Sequence, residues 1–227
     1  MSAPDYGDTF AVWRAGAGNL WTDYTCHAFV KALGEGVLPQ ANYLHYLRQD
    51  YVFLIHFARA WALAAAKADT YAEMAAASAT VYALIHIEMP LHVQTCEAHG
   101  IDRATLEATP EAAGNLAYTR YVLEAGYSGD FLDLLAALAP CVLGYGEIGL
   151  RLKGTTGPYA PWCASYGSDE YQALCRDVGA LLDGAMHRRL GGEWRDLPRA
   201  KSLQSRFTTA TQLEIGFWDM AQHPDRT

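Results

Sequence analysis

Apolar residues recur at helical spacing along almost the whole chain of 227 residues, and this periodicity restricts the fold more than any other feature. The sequence has no convincing run of alternating β-branched residues, which would indicate a strand. We therefore expect an all-α protein. No repeat, low-complexity linker or change in composition marks a boundary, so we expect a single helical-bundle domain over residues 1–227.

Glycines, prolines and capping residues divide this pattern into long helices. Single predicted helices cover about residues 8–33, 39–67, 69–98, 130–153, 168–189 and 199–221. A further pair of helices starts at Asp102 or at Thr109 with Pro110 and reaches Ala125, and a loop covers 154–158. Pro90 is expected to kink the third helix. Several helices look apolar around more than half of their circumference, which predicts burial against neighbouring subunits in an oligomer.

The charge of the chain argues against a nucleic-acid partner. Its formal net charge is -8, and it contains no cluster of lysine or arginine. Residues 134–150 are nearly all apolar, but at 17 residues they are slightly short for a bilayer span, and they contain Pro140 and Glu147. We expect them to form a buried helix of a protein without a membrane partner.

The N-terminal sequence lacks a positive segment followed by an apolar core, so no secretory signal is expected. The cysteines are odd in number, widely spaced and include no CxxC pair. They are Cys26, Cys96, Cys141, Cys163 and Cys175. Free thiols of this kind suit a reducing compartment, so we expect a cytoplasmic protein without a zinc or iron-sulfur site.

Cys141 follows Pro140 in the middle of the predicted helix 130–153. Proline cannot donate to the carbonyl of Ala136, and its ring crowds that turn, so the helix should bend and a pocket could form there. The alternative is that Cys141 is simply a small core residue beside a kink.

Three carboxylates interrupt apolar helical segments, namely Asp50, Glu147 and Glu214. A buried carboxylate must be paired, protonated or in a cavity, because an isolated buried charge is very costly. Pairing along the helix is the alternative to a functional role. It would join Glu147 to Arg151 and Asp50 to Arg48, whereas Arg206 is two turns from Glu214.

Glu88 and His92 in HIEMPLH stand four residues apart and could seat two metal ligands together with His86. A bundle-type di-iron site needs two Glu-x-x-His motifs and two more glutamates, which this spacing does not supply. Polar packing or capping beside Pro90 is the alternative.

Tyr118, Tyr145 and Tyr166 could orient a heteroaromatic ligand, although tyrosines are more often structural. Nucleotide-binding and serine-hydrolase motifs are absent from the sequence.

Six segments, in this order and at these intervals, resemble the TenA family of thiaminase II or aminopyrimidine aminohydrolase enzymes. They are YLRQDYVFL (46–54), EMPLH (88–92), AYT (117–119), LLAALAPCVLGYGEIG (134–149), WCASYGSDEY (162–171) and LEIGFWDMA (213–221). The resemblance covers about residues 8–222. It implies an all-α fold of the haem-oxygenase-like type without haem, usually assembled as a homotetramer from two dimers.

The resemblance also implies a reaction, which is hydrolysis of 4-amino-5-aminomethyl-2-methylpyrimidine to the hydroxymethyl compound with release of ammonia, in thiamin salvage. Thiamin can be cleaved as well. Cys141 takes the position of the family nucleophile, which places the chain in the cysteine-bearing branch, and Glu214 that of the acid/base. Asp50 takes the position that grips the aminopyrimidine edge. No cofactor and no metal is implied.

The same resemblance gives Tyr118, Tyr145 and Tyr166 as residues that line the substrate pocket. Phe53 stands where the family pattern has a tyrosine, so the ring can still stack on a pyrimidine but one hydroxyl is lost. Two alternatives remain: a metal-dependent oxidase of the haem-oxygenase-like superfamily using His86, Glu88, His92 and Glu147, and a regulator that binds pyrimidines without turning them over.

Overall fold

The computed structural model describes residues 3–224, and within this range it contains helices and no strand, which confirms the all-α prediction. The first six α-helices are α1 Asp8–Ala17, α2 Asn19–Thr25, α3 Ala28–Gly34, α4 Gln40–Lys67, α5 Tyr71–Ala83 and α6 Met89–Ala98. The others are α7 Arg103–Glu107, α8 Ala113–Ser128, α9 Phe131–Arg151, α10 Ala160–Tyr166, α11 Asp169–Leu190 and α12 Pro198–Gln222. A π turn at Leu84–Glu88 joins α5 to α6, and a short 3-10 helix occupies Trp194–Asp196.

Two compact units divide the chain. The first comprises the residues up to Leu38 together with Leu135–Ile215, and the second comprises Pro39–Leu134 together with the residues from Gly216 onward. Helices α9 and α12 therefore each contribute residues to both units. The prediction of one domain over 1–227 extends at both ends beyond the described residues.

The core of the first unit is built from aromatic side chains. Trp21 stacks on Phe207 with ring centroids 5.5 Å apart, and Trp13 packs on the same Phe207 ring at 5.5 Å. Helix α11 meets the N-terminus of α1, where the Asp183 carboxylate accepts hydrogen bonds from the backbone N–H groups of Asp8 and Thr9. Asp183 thus satisfies donors that begin a helix and have no partner within it.

The core of the second unit lies along α4. Tyr46 packs against Trp218 at 5.5 Å and against Phe217 at 6.2 Å, so the end of α12 lies on the first half of α4. Gln49, which is buried, accepts a hydrogen bond from Asn115 and another from the backbone N–H of Ala112. These bonds fix α8 against α4.

Helix α9 is the apolar stretch whose burial was predicted. Two segments, Tyr71–Ala98 and Phe131–Arg151, are long and apolar enough to cross a membrane by length and composition. In Phe131–Arg151 the most apolar window is 89% buried within the protein, as is typical of a core helix. In Tyr71–Ala98 the corresponding share is only 17%, so this segment presents an apolar face to its surroundings.

The predicted boundaries were correct where a cap or a proline marks them. Pro39 precedes α4 as expected, and the Thr70 and Ser168 hydroxyls cap α5 and α11. The prediction of one continuous helix over about residues 8–33 was wrong, because Gly18 adopts φ +57° and separates α1 from α2. A glycine takes this left-handed conformation at little cost, whereas other residues rarely do.

Candidate active site

Cys141 lies in the middle of α9, which continues as an α-helix through Pro140. From Phe131 to Gly146 every residue of this helix is buried except Cys141, which is half-buried. Cys163 and Cys175, also in the first unit, are buried completely or nearly so. A cysteine that served only as a small core residue would be buried like its neighbours, so its partial exposure favours access by a small molecule.

An aromatic cluster surrounds the next turn of α9. The ring of Tyr145, four residues after Cys141, lies 4.9 Å from the ring of Tyr166 and 5.9 Å from that of Trp162. A side chain at Gly149 would collide with the backbone of Tyr166, so this glycine lets α10 approach α9 closely. The structure thus brings together two of the three tyrosines singled out in the sequence, Tyr145 on the helix that carries Cys141 and Tyr166 at the end of α10.

Glu214 lies near the end of the part of α12 that belongs to the first unit. Its side chain is only 1% exposed, so the carboxyl is removed from water. A buried carboxyl must be paired, protonated or in a cavity, because an isolated buried charge is very costly. The structure thus places the Glu214 carboxyl inside the protein, within the first unit.

Asp50 is buried within the second unit and accepts a hydrogen bond of 3.2 Å from the Tyr46 hydroxyl, one turn earlier on α4. Its carboxylate oxygen also lies 3.6 Å from His92 Nδ1. Burial raises the pKa of Asp50 to about 7, although the hydrogen bond from Tyr46 acts in the opposite direction. The alternative of a helix-surface pair with Arg48 was wrong, because the side chain of Asp50 points into the protein.

Phe53 and Tyr118 form the second pair of predicted residues that the structure brings together. Their ring centroids are 5.1 Å apart with an interplanar angle of 32°. Phe53 also stacks on Phe57 at 5.2 Å. Both Phe53 and Tyr118 are buried, so a pair of aromatic rings from α4 and α8 lies one turn of α4 after Asp50.

The buried Asp50 carboxyl should make the stability of the protein depend on pH. The pKa is higher in the folded than in the unfolded protein, so the folded state binds more protons and loses stability as the pH rises through that interval. Between about pH 5 and pH 8, the free energy of unfolding should fall by roughly 2–3 kcal/mol in the wild type. Replacing Asp50 by asparagine should remove this decrease. Urea unfolding of the wild type and Asp50→Asn at both pH values measures it, and parallel pH profiles would contradict it.

Glu147 binds side chains of the two N-terminal helices α1 and α2. The alternative considered from the sequence, a hydrogen bond to Arg151, is not formed. Arg14 donates two hydrogen bonds of 2.8 Å to its carboxylate, and Trp21 Nε1 donates a third of 2.9 Å. Burial alone would raise the pKa of Glu147, but these hydrogen bonds hold it below its usual value. Arg151 instead contacts the Cys26 sulfur and the Thr25 carbonyl.

The histidines considered as metal ligands, His86 and His92, contact other protein groups. Within residues 3–224, no group of three or more His, Cys, Asp and Glu side chains is arranged so that it could hold a metal ion. His86 is exposed and packs on the ring of Tyr82 at 4.6 Å. His92 is buried, and its Nε2 lies 2.6 Å from the carbonyl of Leu47.

Two interactions of the candidate residues, one in each unit, were not predicted from the sequence. The contact of His92 with Asp50 joins residues 42 positions apart, and no local pattern indicates it. Trp162 completes the aromatic cluster with Tyr166 at 4.6 Å, and its spacing of four residues from Tyr166 could have indicated a shared helix face.

A family model described as the TENA/THI-4/PQQC family matches residues 15–223. An aminopyrimidine aminohydrolase from Halalkalibacterium halodurans is 36% identical over 97% of this chain and 95% of its own length. An uncharacterized protein from Haemophilus influenzae is 37% identical over 88% of this chain and 92% of its own length.

Solved structures agree with this match. A protein from Silicibacter sp. TM1040, described as a TenA family transcription regulator, superposes with a TM-score of 0.96 at 58% identity, over 99% of this chain and 100% of its own. A TenA homologue from P. horikoshii gives a TM-score of 0.85 at 26% identity, over 95% and 98% of the two chains.

Proposed function

Because the chain belongs to the TENA/THI-4/PQQC family, we propose that it is an aminopyrimidine aminohydrolase of thiamin salvage. It would convert 4-amino-5-aminomethyl-2-methylpyrimidine and water to the hydroxymethylpyrimidine and ammonia. The observation that carries this proposal is the half-buried thiol of Cys141 in an otherwise buried stretch of α9. Relatives named aminopyrimidine aminohydrolase, at 36%, 29% and 29% identity, support the reaction.

The chemistry begins with the Cys141 thiolate, which adds to an electron-poor carbon of the pyrimidine ring and forms a C–S bond. The electron pair displaced onto the ring then expels the amine from the exocyclic carbon, and the C–N bond breaks. Water adds to the exocyclic methylene carbon that remains. The thiolate leaves, and the aromatic ring is restored.

Glu214 supplies the proton transfers in this scheme. As an acid it protonates the departing amine so that ammonia leaves, and as a base it then takes a proton from the water that adds. One carboxyl can perform both steps because the proton that it gives to the amine is replaced by the proton that it takes from water. The sequence of steps consumes one water and leaves the enzyme unchanged.

Substrate binding is assigned to the other residues. Asp50 would grip the aminopyrimidine edge, the ring of Phe53 would stack on the pyrimidine, and the Tyr118 hydroxyl would hydrogen-bond near the ring. Tyr145 and Tyr166 would line the pocket beside Cys141. Since these residues supply nucleophile, acid/base and recognition, the scheme requires no cofactor and no metal step.

Incubation with two substrates tests the proposal. We expect the purified protein to release ammonia from aminomethylpyrimidine in proportion to the hydroxymethylpyrimidine formed, and to cleave thiamin to its thiazole more slowly. A protein that binds the pyrimidine but releases neither product would be a binding protein and would contradict the proposal. The description of the Silicibacter relative as a regulator makes this outcome worth measuring directly. Activity that is lost on chelation and restored by iron would favour the oxidase alternative instead.

We further propose a homotetramer in the cytoplasm, acting as one functional domain over residues 1–227. Six large apolar side chains are exposed along α5, the π turn and α6: Tyr71, Met74, Tyr82, Ile85, Ile87 and Leu91. A groove of about 410 Å³ lies beside them, between α4 and the π turn. An apolar surface of this size on a cytoplasmic protein suits burial against another copy. Within residues 3–224, none of the five cysteines forms a disulfide bond, which suits a reducing compartment.

The apolar face predicts the effect of surface charges on assembly. Ile85→Glu combined with Leu91→Glu should split the tetramer into smaller species, because each buried carboxylate at an interface costs several kcal/mol. Light scattering coupled to gel filtration measures the mass. Leu116→Glu places the same charge on an exposed leucine of α8 and should leave the mass unchanged. A wild type that is already monomeric would contradict the prediction.

A further inference from the structure

The side chain of Gln172 joins three parts of the first unit, which are the N-terminal segment, α9 and α10. Gln172 lies near the start of α11 and is only 6% exposed. Its Nε2 donates a hydrogen bond of 2.9 Å to the carbonyl of Tyr166 and one of 3.1 Å to the carbonyl of Gly146. Its Oε1 accepts a hydrogen bond of 2.5 Å from the Tyr6 hydroxyl. Both the nitrogen and the oxygen of this buried amide therefore have protein partners.

These partners determine the orientation of the Gln172 amide. Two backbone carbonyls can only accept hydrogen bonds, so the NH₂ group must face them. The amide oxygen then faces Tyr6, whose hydroxyl donates to it. Burial raises the pKa of the Tyr6 phenol, so the hydroxyl keeps its proton at neutral pH. Gln172 is thus a bridge with one orientation, because turning the amide over would place its oxygen against two carbonyls.

One end of this bridge holds the last residue of a short helix. Tyr166 ends α10, which has only seven residues, and the last carbonyls of a helix have no N–H partner within it. Gly146 lies in the interior of α9, which is long and mostly buried. Gln172 therefore ties the C-terminal end of α10 to a helix that is fixed by the core of the first unit.

The backbones of α9 and α10 also approach each other closely at this place. A side chain at Gly149 would collide with the backbone of Tyr166, and a Cβ added at Gly167 would lie 2.8 Å from the carbonyl oxygen of Gly149. The ring of Tyr166 lies 4.9 Å from that of Tyr145, the residue before Gly146 on α9. A shift of the end of α10 away from α9 would therefore move these two rings apart.

We propose that Gln172 is a positioning residue for the substrate pocket, which holds the Tyr166 ring in place beside Tyr145 by fixing the end of α10 to α9. This role rests on the proposed function, in which the two tyrosines line the pocket beside Cys141. The Gln172 amide bonds to protein groups at both of its polar atoms, so it acts through Tyr166 and not by contact with the substrate. Replacing Gln172 can then cost no more affinity than removing the Tyr166 ring.

Gln172→Met tests this role. Methionine has the length of glutamine but makes none of the three hydrogen bonds. The buried carbonyl of Tyr166 loses a donor, and the end of α10 should shift to reach another one. We expect the affinity for hydroxymethylpyrimidine, measured calorimetrically, to fall roughly five- to thirtyfold. Tyr166→Ala should lower it at least as much.

Gln204→Met is the matched control, because Gln204 is another glutamine of the first unit whose amide bonds to a backbone carbonyl. Its Nε2 donates to the carbonyl of Trp13 at 3.0 Å and to the Thr208 hydroxyl at 3.2 Å. Both glutamine variants should unfold at lower urea concentration than the wild type. Only Gln172→Met should bind the pyrimidine more weakly, whereas a merely structural role for Gln172 would leave the affinity of both variants unchanged.

A double-mutant cycle shows whether Gln172 acts through the Tyr166 ring. Once Tyr166→Ala has removed the ring, adding Gln172→Met should cost less than about twofold more affinity. The same loss in both backgrounds, or wild-type affinity for Gln172→Met alone, would overturn the proposal.

Hydrogen–deuterium exchange tests the bridge without any ligand. We expect the amides of Ala160–Tyr166 to exchange faster in Gln172→Met than in Gln204→Met, because the end of α10 has lost its attachment. Equal exchange of this segment in the two variants would overturn the bridge.

Binding and turnover keep these tests apart from that of the proposed function. A wild type that binds hydroxymethylpyrimidine but releases no ammonia would count against the hydrolase alone, and the cycle would still decide the role of Gln172. A wild type that releases ammonia, together with a Gln172→Met variant of unchanged affinity, would overturn the positioning role alone. A wild type that binds no pyrimidine would overturn both.

Discussion

Replacing Cys141 by serine is expected to lower the rate of ammonia release by about three to six orders of magnitude while leaving pyrimidine affinity nearly unchanged. Serine keeps the size of the side chain, so the packing of α9 is preserved. Its hydroxyl is far less acidic than a thiol and does not supply a comparable anion near neutral pH. Initial rates with aminomethylpyrimidine and calorimetric binding of the product measure the two effects.

Cys26→Ser is the matched control, because Cys26 is half-buried in the same unit and contacts the Arg151 guanidinium. It should retain the wild-type rate. A Cys141→Ser enzyme that still turns over within about tenfold of the wild type would show that the sulfur is not the nucleophile. The reaction would then need another activating group, and the metal-dependent alternative would gain support.

Glu214→Gln is expected to reduce kcat by about 10²- to 10⁴-fold, the range that general acid–base groups contribute. Glutamine has the same shape and can occupy the buried position, but it cannot protonate the leaving amine or accept a proton from water. The effect should appear in kcat more than in KM. Single-turnover assays with aminomethylpyrimidine measure it.

Glu147→Gln provides the contrast, since Glu147 is another carboxylate inside an apolar helix. Its hydrogen bonds to Arg14 and Trp21 give it a structural role, so the substitution should lower the free energy of unfolding by about 1–3 kcal/mol and leave kcat near the wild-type value. Equal losses of kcat in the two variants would mean that Glu214 acts by supporting the fold.

Local sequence signals predicted much of the fold. Helices α4, α11 and α12 begin within two residues of the predicted positions, because Pro39, Ser168 and Pro198 mark their starts physically. The Asp130 side chain caps the backbone N–H of Asp133 at the start of α9, close to the predicted start at residue 130. Helix α10 was missed, since its seven residues are too short for a periodic apolar pattern to be visible.

The π turn at Leu84–Glu88 was also not predicted, although a distortion near Pro90 was. A proline removes a backbone donor and crowds the preceding turn, so the backbone must rearrange there. The sequence does not reveal whether the rearrangement is a kink or an extra residue in the turn. A π turn is one of the known ways to absorb it.

Some contacts of the candidate site residues were predictable from local spacing, and others arise only from the tertiary fold. Tyr145 follows Cys141 by four residues, so the helical repeat places both on one face of the helix. Tyr46 precedes Asp50 by four residues, so the same rule predicts their contact. The partners of Glu147 were not, because Arg14 precedes it by 133 residues and only the tertiary fold brings them together. The same holds for His92 and Asp50. Roles for Phe53 and Tyr118 came from the family resemblance, and the structure adds that their rings pack together.

Substrate protection of Cys141 against alkylation tests the central claim most directly. Iodoacetamide labelling is followed by peptide mass spectrometry, with and without saturating hydroxymethylpyrimidine, and Cys26 in the same molecule serves as the internal control. We expect the ligand to slow labelling of Cys141 at least about tenfold, to leave Cys26 unaffected, and to lose this protection in Asp50→Asn. Equal labelling of Cys141 with and without a ligand that demonstrably binds would contradict the account, because the thiol would then lie outside the pyrimidine site.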